Sequence, residues 1–247
     1  KPTPPSQIPL RLVGSEMCIR DRVIMDTKTD DYFCSLLADK CNAKVISLDY
    51  RRCPENKFPA AFEDAFALWD YVQMNSEILK INPNSIALAG DSAGGMISAT
   101  VAHDVRDKGG IQPAALCLIY PWVTTSLENQ QSIESCADMF PMTFKIMEFF
   151  RNTVFPDGQN VDHLWANPLH QDNLRNLPPT IIATAGFDPI RDQGNQFVDL
   201  LKKAEVEVTD YCFSELPHSF LIFGRISKAA QKANNIIAQD LSKILNK

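Results

Sequence analysis

No block of basic residues interrupts this chain. Its 24 Lys and Arg are outnumbered by 30 Asp and Glu, for a formal net charge of −6. A nucleic-acid-binding face needs clustered cations, so that class of partner is disfavoured. Long apolar runs are missing too. The longest, Ala114–Val123, contains Pro121 and falls well short of the roughly 20 residues that span a bilayer. Glycine and proline number 10 and 16 of 247, too few for a low-complexity or collagen-like segment. The seven cysteines, Cys18, Cys34, Cys41, Cys53, Cys117, Cys136 and Cys212, form no C-x-x-C pair. They read as buried or free thiols in a reducing, cytoplasmic setting. No metal site is expected: His163 and His170 stand seven apart with no second His or Cys pair beside them, and read as loop or surface residues. The chain opens Lys1-Pro2-Thr3 rather than Met and reads as a fragment, so a missing leader says nothing about export.

What is present is an ordinary globular composition, 45% apolar and 22% charged. The length allows one large domain or two small ones. Residues 1–10 are Pro-rich and read as a linker. Residues 27–41 read as a helix, with Thr29 or Asp30 as cap and Phe33, Leu36, Leu37 and Cys41 on one face. Strands are expected at Lys44–Leu48, Ser85–Ala89, Ala114–Tyr120, Thr180–Ala185 and Val206–Phe213. Helices are expected at Phe58–Val72, Ala93–Val105, Ile190–Ala204 and Gly224–Leu245. Such alternation implies a mostly parallel sheet with helices on both sides. The interval 123–165 breaks the rhythm: it has no strand signal but is rich in Met and Phe (Met139, Phe140, Met142, Phe144, Met147, Phe149, Phe150, Phe155). It reads as a helical insertion over the sheet, a partial cap within a single domain spanning 1–247.

The most informative segment is Gly90-Asp91-Ser92-Ala93-Gly94, a G-x-S-x-G after an apolar strand and before a helix. A sharp turn there lifts the Ser92 hydroxyl to the strand's carboxyl end, and small residues let backbone and helix approach. The helix N-terminus favours negative charge, and the Ala93 N–H is placed to donate to an oxyanion. A serine nucleophile needs a base, and the base an orienting acid. Of four histidines, His103 lies inside the following helix and His163 and His170 lie in or beside the insertion. His218 follows the last strand, where chemistry collects in an open parallel sheet. Asp188 follows the strand before it. Asp188-Pro189 also has the form of a helix N-cap with Pro at N1, and Asp192, on the first helical turn, is a rival acid.

These residues resemble the hormone-sensitive-lipase-like branch of the α/β-hydrolases, the carboxylesterases with a GDSAG elbow. Asp49-Tyr50-Arg51-Arg52-Cys53-Pro54-Glu55-Asn56-Lys57-Phe58-Pro59-Ala60-Ala61 is similar to the family's D-Y-R-x-x-P-E-x-x-F-P-A. Gly186–Asp192 resembles its acid loop, and His218-Ser219-Phe220 its histidine loop, with Ser219 where Gly is commoner. The resemblance runs from about Val23 to the C-terminus. It implies an α/β-hydrolase core, a helical cap, hydrolysis of a small-molecule ester without metal or organic cofactor, and a triad of Ser92, Asp188 and His218. A homo-oligomer is possible. The family's H-G-G-G loop should stand roughly 70 residues before the nucleophile, near Cys18–Asp21, and no Gly-rich run is there. Val13–Arg22 fits badly as a strand entering the core and resembles the translation of a sequencing-adapter read-through. Two other readings stand beside the esterase: a non-catalytic ligand-binding protein on the same scaffold, and a chain left inert by the lost loop.

Overall fold

The computed structural model of this chain describes residues 11–13, 16–19, 31–128 and 130–246. Among the described residues seven strands form one sheet: β1 (Arg11–Val13), β2 (Glu16–Ile19), β3 (Val45–Ser47), β4 (Ala87–Asp91), β5 (Ala115–Ile119), β6 (Thr180–Phe187) and β7 (Val208–Pro217). Their order is β1-β3-β2-β4-β5-β6-β7. Among these strands the β1–β3 pair is antiparallel and the other pairs are parallel. The helices are α1 (Asp31–Cys41), α2 (Ala60–Met74), α3 (Ser76–Leu79), α4 (Ala93–Asp107), α5 (Gln131–Ser135), α6 (Phe144–Val154), α7 (Arg191–Lys203) and α8 (Lys228–Leu245).

Both sheet faces are covered, which is why β5 is apolar at every position and β4 and β6 are mostly so. Leu88, Leu116, Leu118 and Ile182 point into one core, with Leu68 and Trp69 of α2, Met96 and Ile97 of α4, and Phe197 of α7. Ala87, Ala89, Ala115, Cys117 and Ala183 point the other way, toward Leu37 of α1 and Ile237 and Leu241 of α8. Small side chains on that second face let α1 and α8 lie close to the sheet. This is an α/β-hydrolase fold: a largely parallel sheet between helical layers.

The 123–165 interval carries α5, α6 and short 3-10 turns at Pro156–Gly158 and Leu164–Ala166, with no strand among the described residues. Its Met and Phe residues divide. Met142, Met147, Phe150 and Phe155 pack into the α2/α4/α7 core, whereas Met139, Phe140 and Phe149 are exposed.

One expectation is corrected. Glu16–Ile19, within the stretch read as unfit for a strand, forms β2 in the interior of the sheet, paired with both β3 and β4. Strand pairing uses backbone N–H and C=O groups, so an unfavourable side-chain pattern does not forbid it. The expected cap at Thr29 or Asp30 and the 1–10 linker lie outside the described residues. Arg51, in the Asp49–Ala61 motif, is anchored by α2. Its backbone N–H and Nε donate to the buried Asp64 carboxylate at 2.8 and 2.9 Å. That contact fixes the loop leaving β3.

Among the described residues no helix is long and apolar enough to cross a membrane.

Candidate active site

Ser92 sits between β4 and α4 with φ 51° and ψ −121°. A non-glycine residue there costs about 1–3 kcal/mol and persists only where its surroundings enforce it. They do so here. The Ser92 N–H donates to the Ile119 carbonyl, and its own carbonyl accepts from Trp122 N–H, each at 2.9 Å. The elbow is thereby fastened to the end of β5. A Cβ on Gly90 would run into the Gly94 carbonyl and come within 2.7 Å of Ser98 Oγ. A Cβ on Gly95 would come within 2.7 Å of the Pro121 side chain. Only glycine lets strand and helix close this tightly.

Three loops at the carboxyl edge of the sheet converge on Ser92. His218, just past β7, places Nε2 3.1 Å from Ser92 Oγ. Its Nδ1 lies 2.7 Å from Asp188 Oδ2. The three side chains are buried, Asp188 completely. The other Asp188 oxygen accepts from Ile190 N–H at 2.9 Å. The Tyr120 ring, with its centroid 4.7 Å from that of His218, packs against the imidazole. In a site closed to water these contacts are stronger than on a surface.

Residues 22–222 match the alpha/beta hydrolase fold family. Esterase LipI of Mycobacterium tuberculosis is 35% identical over 218 residues, 86% of this chain and 67% of that protein. The chain belongs to the hormone-sensitive-lipase-like carboxylesterases of this fold. Among solved structures, the hyperthermophilic esterase of the archaeon Pyrobaculum calidifontis superposes with a TM-score of 0.90 at 31% identity, covering 95% of this chain and 81% of that one. The gibberellin receptor GID1B of Arabidopsis thaliana is 29% identical over 184 residues, 72% of this chain and 51% of its own length. The hydrolase chain spans between 58% and 67% of the length of the mycobacterial relatives it matches.

In this hydrolase Asp188 is not the helix cap that Asp-Pro suggested. α7 starts at Arg191 with Ile190 at its N-cap. Asp188 stands ahead of the helix and turns its carboxylate to the Ile190 N–H on one side and to His218 on the other. The rival, Asp192, faces elsewhere: its Oδ2 accepts from the Ser132 N–H at 2.7 Å. His163 Nδ1 accepts from Trp165 N–H at 3.1 Å, and His170 Nε2 lies 2.9 Å from Thr124 Oγ1. Ala93 begins α4, and the first four N–H groups of a helix have no partner within it. Ile19, the last residue of β2, pairs with Gly90. The chain therefore leaves β2 beside the elbow, where the resemblance puts its glycine loop; Arg20 and Asp21 lie outside the described residues.

The remaining histidine, His103, is buried in α4. Among the described residues neither of its ring nitrogens has a hydrogen-bond partner. Burial lowers its pKa to about 4, helped by Arg106 nearby. Such a histidine binds its proton more weakly folded than unfolded. Its contribution is full above the unfolded value of 6.5 and is lost as pH falls toward 4. The expected loss over that window is about 3 kcal/mol, at about 1.4 kcal/mol per pKa unit. Urea melts at pH 7 and pH 4 measure it. His103→Leu is expected to lose markedly less stability between the two, and equal losses in both proteins would refute this.

Proposed function

We propose that this chain is a serine carboxylesterase for small to medium acyl esters, working through Ser92, His218 and Asp188. The observation that carries this reading is the buried line from Asp188 Oδ2 through the imidazole to Ser92 Oγ, with steps of 2.7 and 3.1 Å. His218 Nε2 takes the Ser92 proton as Oγ attacks the ester carbonyl carbon. The tetrahedral oxyanion accepts the Ala93 N–H at the start of α4. The intermediate collapses, the C–O bond to the alcohol breaks, and the imidazolium returns its proton to the departing alkoxide. Water then attacks the acyl-enzyme, giving its proton to Nε2, and the carboxylic acid leaves as Ser92 is regenerated. Asp188 holds the tautomer with Nδ1–H toward itself and stabilises the imidazolium. No step calls on a metal or an organic cofactor. In this reading the 123–165 interval serves as a partial cap whose Met and Phe residues supply an apolar acyl or alcohol pocket.

Asp188→Asn tests the assignment, in a chain carrying the glycine loop. It is expected to lower kcat by roughly 10⁴, by favouring the wrong imidazole tautomer. The melting temperature should change little, since an amide oxygen still accepts the Ile190 N–H. Survival of most activity, or greater damage from Asp192→Asn, would remove Asp188 from this role. The ligand-binding alternative, which the receptor relative keeps in view, forecasts no turnover of any ester in such a chain.

A further inference from the structure

Two helix starts 60 residues apart cap each other. Ser132 is the second residue of α5 and Asp192 the second of α7. The Ser132 N–H donates to Asp192 Oδ2 at 2.7 Å, and the Asp192 N–H donates to Ser132 Oγ at 3.2 Å. The Ser132 hydroxyl proton goes to the Pro189 carbonyl at 2.8 Å. Neither helix has a side-chain cap of its own, since Gln130 and Ile190 at the two N-caps make no such bond. Each thus borrows from the other the cap that its own sequence lacks. Ser132 is completely buried.

What lies between the gripped points matters. Pro189 is the residue after Asp188. On the other side, Arg191 Nη1 donates to the Gly186 carbonyl at 2.9 Å, while its Nε pairs with Asp192 Oδ1 at 3.2 Å. Asp188 therefore sits in the middle of a loop held at Gly186 and at Pro189, and both holds lead to the Ser132–Asp192 pair. A side chain that must orient a base has to be fixed within about 0.5 Å, which its neighbours have to supply.

We infer that Ser132 and Asp192 form a latch between the 123–165 insertion and the acid loop, and that both are positioning residues for Asp188. The inference rests on the triad reading above. It makes the aim of the acid depend on the seating of α5, although α5 touches neither Ser92 nor His218 through any hydrogen bond described.

The test reads the Asp188–His218 contact itself, on the chain as it stands. A buried imidazole Nδ1–H held by a carboxylate gives a strongly deshielded proton resonance at low field, identified by its loss in Asp188→Asn. The unsubstituted chain is expected to show it. Ser132→Ala is expected to broaden it into exchange or abolish it, while Ser132→Thr, which keeps the hydroxyl, retains it. Each variant is first checked for a cooperative melt. Should Ser132→Ala melt below the temperature of measurement, Asp192→Ala takes its place with the same outcomes. In a loop-restored chain, Ser132→Ala should also lower kcat by about 10²-fold, the scale of a 1 Å misplacement, with KM nearly unchanged. A resonance unmoved and unbroadened by Ser132→Ala would overturn the latch. Its absence from the unsubstituted chain would overturn the triad reading, and the latch with it.

Discussion

Ester hydrolysis falls by roughly 10⁶ in kcat when Ser92 becomes Ala, where the oxyanion loop is complete. Removing Oγ takes away the only atom of the line that can form the acyl bond. His218 and Asp188 are then left with nothing to activate. The fold should not change, because the elbow is held by backbone. The bonds from Ser92 N–H to Ile119 and from Trp122 N–H to the Ser92 carbonyl do not involve the hydroxyl. Alanine at φ 51° is no less strained than serine, so no gain in melting temperature is expected either. Hydrolysis of a short-chain nitrophenyl ester, with a thermal melt on the same samples, decides the matter. Activity surviving in a folded Ser92→Ala protein would place the nucleophile elsewhere.

Replacing Cys18–Asp21 with His-Gly-Gly-Gly is expected to raise the rate of the chain as written by several orders of magnitude. Each backbone donor to an oxyanion contributes about 10²–10³ in kcat, and two are missing from the sequence. The sheet gives the substitution a place. Cys18 and Ile19 pair with Ala89 and Gly90, so the replaced stretch starts in the last two residues of β2, alongside the strand that leads into Ser92. In the present sequence Arg20 and Asp21 bring charge to that stretch, and neither offers glycine's freedom to turn backbone N–H groups toward a carbonyl. The chain as written is accordingly expected to hydrolyse activated esters poorly, despite possessing Ser92, Asp188 and His218. Both proteins are assayed on the same nitrophenyl ester after each shows a cooperative melt. Turnover by the unaltered chain equal to that of the loop-restored one would show that the loop is dispensable.

The elbow was readable in the sequence because its constraint is local. A strand, a reversed turn and a helix compressed into five residues demand glycine where Gly90 would strike Gly94, and that demand is written in residue types. His218 was readable by position, since only one histidine follows the last strand at the carboxyl edge. The acid was not separable in this way. Asp188 and Asp192 lie on one short segment, and which of them faces His218 depends on where α7 begins. The Asp-Pro pair suggests a helix start at Pro189, yet α7 begins at Arg191, which frees Asp188 to turn inward. Ser132 gave no signal at all. It lies in a helix of five residues, and its partners are 57 and 60 positions away. β2 was misread because its pairing is a property of backbone, whereas the side-chain pattern of Val13–Arg22 argued against a strand. The parallel sheet itself was legible, because strands covered on both faces are predominantly apolar, as the run Ala115–Ile119 is.

The central claim is that Ser92 is the activated nucleophile, and covalent capture tests it most directly. In a fluorophosphonate the P–F bond breaks as Ser92 Oγ bonds to phosphorus, fluoride departs, and His218 takes the serine proton. Peptide mass spectrometry of the treated, loop-restored protein is expected to find one phosphonyl group on the peptide containing Ser92, located at Ser92 and absent from Ser92→Ala. Label on Ser98 or Ser219, or label that persists in Ser92→Ala, would contradict the account.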